Sequence, residues 1–214
     1  ILLVPTVDMD EARKLLPDAP DNIQLMDFAE WPGRGFLHHM ALIMTADLYS
    51  DADFILHFDS DCVFTEPVTP EDYFVDGKPA LMYGDFEWLC TTQQANLRMW
   101  QVATERAIGP PVPVETMRRH PAVHYRKLYP LTSQMIENHT GQSLMEYIYK
   151  GRNEFPQEFS EFVALGNVAW RCMHDDYHWI DQQKEWPPNK MHQNWSHCDP
   201  TPENMALYQK IGIA

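Results

Sequence analysis

The apolar run Phe54-Ile55-Leu56-His57-Phe58 ends abruptly in Asp59-Ser60-Asp61. A short run rich in aromatic and branched residues reads as a buried strand rather than a helix. Both carboxylates then stand at the strand's C-terminal edge, and outside that edge open α/β sheets bind their ligands. Two carboxylates one residue apart repel each other unless a cation joins them. Hard oxygen donors in a part-hydrated site suit Mg²⁺ or Mn²⁺ carrying phosphates. The competing reading is an Asp-Ser-Asp turn whose side chains cap backbone N–H groups. The apolar pair Val63-Phe64, which follows at once, favours the binding reading.

Charge bears on the same point. The chain has 214 residues and a formal net charge of −15. That length suffices for one α/β domain with a sizeable core. It opens on Ile1 rather than Met, which reads as a trimmed chain or as one domain of a longer protein. So acidic a surface repels nucleic acid and anionic membranes. It also repels a nucleotide diphosphate, which such a chain holds only with a cation between. Cys62, Cys90, Cys172 and Cys198 share no C-x-x-C spacing. They form neither a zinc site nor a disulfide scaffold, and read as reduced thiols of a cytoplasmic protein. No run is long and apolar enough to predict a spanning helix.

The chain opens strand, helix, strand: Ile1 to Val4, a helix through Leu16 capped by Asp8 or Asp10, then Ile23 to Met26. This is how a nucleotide-binding α/β half begins. No GxGxxG follows the first strand, which argues against a dinucleotide site. After the loop Trp31 to Gly35, Phe36, Met40, Met44 and Leu48 repeat every four residues and predict a helix over 36–48. Arg34, His38 and His39 lie at its start, where Arg34 and the helix dipole can hold a diphosphate, or where Arg34 is a solvated loop residue.

Thr69-Pro70 starts a short turn, and Pro79 to Tyr83 predicts a buried strand leading to Asp85. Asp85 either faces a bound sugar or caps the loop. A helix is predicted over 94–107, a loop at Gly109 to Pro113, and an edge strand from Tyr125 to Tyr129. Thr132 or Ser133 caps a helix that stops at Gly141, and Ser143 with Glu146 forms a capping box for a helix to Lys150. Ser160 caps a helix to about Cys172, with Glu161 in a first turn whose dipole favours a carboxylate. Trp186 to Pro200 is too irregular for a regular element and reads as a site lining or lid. Thr201-Pro202 starts a final helix through Lys210.

Asp59-Ser60-Asp61 after such a strand resembles the Asp-x-Asp motif of nucleotide-sugar glycosyltransferases with the GT-A fold. Gly35-Phe36, Ala52-Asp53-Phe54, Ser160-Glu161-Phe162 and Trp195-Ser196-His197 extend the likeness. Together they look like the small viral and microbial GT-A enzymes, among them the N-terminal glycosyltransferase domain that chloroviruses use on their capsid glycan. The resemblance spans most of the chain. It implies a single α/β domain over 1–214 with a mostly parallel central sheet flanked by helices on both faces. The implied activity is metal-dependent transfer of a sugar from a UDP-sugar to a hydroxyl of a glycan or glycoprotein.

The implied roles follow residue by residue. Asp61, with Asp59 directly or through water, holds Mn²⁺ or Mg²⁺, and His197, or else His192, closes the shell. Thr6 and Asp27 lie near the base or ribose, and Arg34, Asp59 and Ser60 contact the nucleotide sugar. Glu161 takes the proton of the attacking hydroxyl if the enzyme inverts; if it retains, Asp85 or Glu161 steadies the oxocarbenium-like centre. One departure stands out: such enzymes often carry a Lys later in the helix, and Met40 to Met44 offers none. A sugar nucleotidyltransferase would need a Gly-rich basic loop, and Pro5-Thr6-Val7-Asp8 is neither. A non-catalytic carbohydrate-binding domain would use Asp59 and Asp61 for Ca²⁺ and its Trp residues for stacking.

Overall fold

The computed structural model describes residues 1–17, 21–28, 35–59, 61–92, 96–118, 121–150, 160–193 and 200–212. Their class is α/β. Strand β1 (Leu2–Pro5) pairs in parallel with β2 (Leu25–Phe28), and helix α1 (Met9–Leu15) joins them. Asp8 stands at the N-cap of α1 but makes no side-chain capping bond. Helix α2 (Gly35–Met44) buries Leu37, Met40, Ala41, Ile43 and Met44. It stops one turn earlier than the apolar repeat predicts, because a 3₁₀ turn at Ala46–Leu48 takes over and leaves Leu48 exposed.

Strand β3 (Phe54–His57) is half-buried rather than buried, with Leu56 exposed and Phe58 exposed just beyond it. Its partner is β8 (Ala122–Tyr125), which runs antiparallel. Strand β4 (Cys62–Phe64) pairs antiparallel with β10 (Met191–Gln193). Strand β6 (Lys78–Asp85) is flanked by β5 (Phe74–Val75) and β7 (Val114–Glu115), both antiparallel, and by β9 (His178–Asp181), parallel. The described residues therefore form several small mixed sheets, not the mostly parallel central sheet expected. The cause is long-range partner choice: β8 and β10 return against β3 and β4, and no local pattern encodes that direction.

Two further corrections concern element limits. Tyr125 ends β8, and Leu128 already opens helix α5 (Leu128–Thr140), so no strand reaches Tyr129. Pro130 lies in the first turn of α5, where its missing N–H is harmless. Within 186–200, Met191–Gln193 is a strand despite its composition. Helices α3 (Phe86–Thr92), α4 (Leu97–Ile108), α6 (Leu144–Lys150) and α8 (Pro202–Lys210) complete the set around α7 (Glu161–Cys172). Gly141 ends α5 with φ 70°, as its position predicts. Ser143 and Glu146 exchange the capping-box bonds at 3.1 and 3.3 Å.

Helix α7 is the centre of the packing. Every residue from Glu161 to Ala169 is buried. Its neighbours are α4, α5, α2 and β7. Asn167, wholly buried, donates to the carbonyl of Val114 at 2.7 Å and so ties the helix to β7. Ser160 accepts from the N–H of Val163 at 3.3 Å, which fixes the start of the helix and with it the position of Glu161. Among the described residues, no helix is long and apolar enough to cross a membrane.

Candidate functional site

Asp59 and Asp61 follow β3 in a tight turn closed by the Cys62 N–H donating to the Asp59 carbonyl at 3.0 Å. The register of β4 with β10 sets Gln193 opposite Cys62. The Gln193 amide nitrogen donates to Asp59 Oδ2 at 3.3 Å and to Asp61 Oδ1 at 3.2 Å. Strand β10 is held there from one side: Lys190 pairs with Asp72 at 2.8 Å, and the Thr65 N–H donates to the Lys190 carbonyl at 2.8 Å.

The other wall comes from α2 and α7. His39 Nε2 lies 3.6 Å from Asp59 Oδ1, and His39 Nδ1 lies 3.7 Å from Glu161 Oε1. Glu161 is 4 % exposed, whereas the His39 side chain is 47 % exposed. Burial holds the Glu161 carboxyl above the usual range, opposed by the nearby His39 and reinforced by Asp59. A carboxylate with a raised pKa is a stronger base. The Asp59 carboxylate, above all, raises the His39 imidazole, and Glu161 and Asp61 act in the same direction against desolvation.

Asp59 and Asp61 are the residues here that could offer oxygen ligands to a hard divalent cation. The Gln193 amide nitrogen stands between two carboxylates, where a positive charge would be favoured, and an amide also carries an oxygen donor. Among the described residues no group of three His, Cys, Asp or Glu is arranged to hold a metal ion. Two protein carboxylates with water and substrate phosphates are the usual shell of Mg²⁺.

The remaining residues singled out from the sequence fall as follows. Thr6 donates its hydroxyl to Asp27 at 3.1 Å and to the Phe28 carbonyl at 2.9 Å, at the C-terminal ends of the parallel β1 and β2. Asp85 accepts from the Trp88 N–H at 2.9 Å, the loop-capping alternative. Its backbone neighbour Gly84 pairs with Glu115 in β7. His192 faces Tyr208, and its Nε2 has no hydrogen-bond partner among the described residues. Arg34, Ser60 and His197 lie outside the described residues.

His39 and Gln193 complete this constellation. The position of His39 at a helix start was legible, but its two carboxylate partners were not. Gln193 gave no signal at all, because its partners lie 134 and 132 residues away. Comparison of the chain with models of protein families, with curated proteins and with solved structures finds no match.

Proposed function

We propose that the protein is a metal-dependent glycosyltransferase of GT-A type that moves a sugar from a UDP-sugar to a hydroxyl of a glycan. The observation that carries this reading is the meeting of the Asp59/Asp61 pair with Glu161, a buried carboxylate from a different element, across one imidazole. A cation-binding pair beside a strong base is what transfer to a hydroxyl needs. Asp59 and Asp61 hold Mn²⁺ or Mg²⁺, and the net charge of −15 makes such an ion necessary for an anionic donor. When bound, the ion supplies Lewis-acid neutralisation of the departing diphosphate.

Glu161 accepts the proton of the acceptor hydroxyl. The acceptor oxygen bonds to the anomeric carbon as the bond from that carbon to the phosphate oxygen breaks, and the electron pair leaves with UDP. A single displacement of this kind inverts the anomeric centre. Thr6 and Asp27 form the nucleoside end, where a carboxylate can accept from ribose hydroxyls. Asp85 stays a capping residue. Most of the rate enhancement is positional and electrostatic.

Calorimetric titration of UDP with and without Mn²⁺, repeated with GDP and CMP, tests the reading. UDP binds only with the metal, and Asp61→Ala abolishes binding. A protein that binds no nucleotide under any metal is not this enzyme, and glycan binding with Ca²⁺ would then identify a carbohydrate-binding domain.

A further inference from the structure

We infer that His39 is a positioning residue that ties the two halves of this site together. One ring nitrogen holds the Asp59 carboxylate on the donor side, and the other holds the Glu161 carboxylate on the acceptor side. This role rests on the transferase reading above.

The geometry is specific. Asp59 lies two residues beyond β3, Glu161 is the first residue of α7, and His39 projects from α2. A planar ring with nitrogens on two edges reaches both carboxylates at once, at 3.6 and 3.7 Å. These lengths exceed a formed hydrogen bond. Catalytic contacts of this kind tighten when substrate binds. An exposed histidine beside a surface acid contributes little. Here one partner is 4 % exposed, so the contact orients a group that bulk water does not reach. The apolar neighbours Leu37, Met40 and Ala41 anchor this stretch of α2 in the core, so the ring is presented from a fixed backbone.

The two contacts are separable. His39→Asn leaves a polar group near the place of Nδ1 and removes the reach to Asp59. His39→Gln leaves one near the place of Nε2 and removes the contact to Glu161. Two readouts follow them: the Kd of UDP with Mn²⁺ by calorimetry, and UDP release from a panel of UDP-hexoses at saturating donor. The Gln variant keeps its Kd within about threefold and loses turnover by about tenfold or more. The Asn variant keeps saturating turnover within about threefold and loosens Kd by about tenfold. Equal losses in both variants, or no loss in either, overturn the role, since a merely structural residue would not split the two quantities. A wild-type protein that binds no UDP with Mn²⁺, or turns over none of the donors, overturns the transferase reading itself and this role with it.

Discussion

Gly166 faces Thr116 so closely that a Cβ built on the glycine would stand 2.0 Å from the threonine hydroxyl oxygen and 2.5 Å from its Cβ. The same hydroxyl donates to the Phe162 carbonyl at 2.8 Å. A glycine on one side and a threonine on the other therefore let α7 lie directly on the segment after β7. Phe162 follows Glu161, so this contact also sets where the buried carboxylate stands.

Gly166→Ala accordingly forces helix and strand segment apart. Overpacking of this kind costs about 1–3 kcal/mol. Urea unfolding would register the loss as a lower midpoint with an unchanged slope. A variant as stable as the wild type would mean that α7 does not rest on Thr116.

Arg171, near the other end of α7, donates to the carbonyls of Ile108, Gly109 and Pro111. One planar guanidinium thus holds the Pro-rich loop that leads into β7. Lysine presents its three donors from a single nitrogen and lacks the spread of the planar fork, whose two terminal nitrogens here divide the three carbonyls between them. Arg171→Lys is expected to lose about 2–3 kcal/mol, the cost of leaving polar groups without partners. A thermal melt checks this, and an unshifted transition would refute the stapling role.

Much of this molecule was legible where the code is local. Ser160, Ser143, Thr201 and Gly141 mark helix ends because caps act within three or four residues. Asp59 and Asp61 stood out because a strand pattern ends on them. Pairing was not legible: the antiparallel return of Ala122–Tyr125 onto Phe54–His57, and of Met191–Gln193 onto Cys62–Phe64, depends on partners remote in sequence. Gln193 enters the candidate site only through that second pairing. Tyr125 to Tyr129 misled for a different reason. Its aromatic residues suit a strand, yet packing places Leu128 and Tyr129 wholly buried inside a helix.

His124 is 1 % exposed, and burial, followed by the neighbouring His57, pushes its pKa from the ordinary 6.5 down to about 3. The folded protein keeps this imidazole neutral where the unfolded chain takes up a proton. Its contribution to stability is therefore intact above about pH 6.5 and is lost as pH falls toward the depressed value, up to about 5 kcal/mol for this one group. Urea unfolding of wild type and His124→Leu between pH 7 and pH 4 compares the two slopes. The wild type is expected to lose stability more steeply, and parallel slopes would show that His124 is not the group responsible.

Glu161 shifts the opposite way, and the sign reverses. Its folded-state pKa lies above the unfolded 4.5 because burial disfavours the charge. Such a group contributes its stability below the unfolded pKa and loses it as pH rises through the folded value. Above the unfolded value the wild type thus meets a burial cost, as a buried charge or as proton uptake on folding, that a neutral isostere avoids. Glu161→Gln is expected to melt higher than the wild type at pH 8, with the gain shrinking to nothing near pH 4. In the proposed reaction the same substitution would remove the proton acceptor, so UDP release should fall by about 10²–10⁴-fold. Higher stability joined to lost turnover is the mark of a residue kept for chemistry at the expense of the fold. A variant less stable than the wild type at pH 8, with turnover retained, would identify Glu161 as a structural carboxylate and remove it from the reaction.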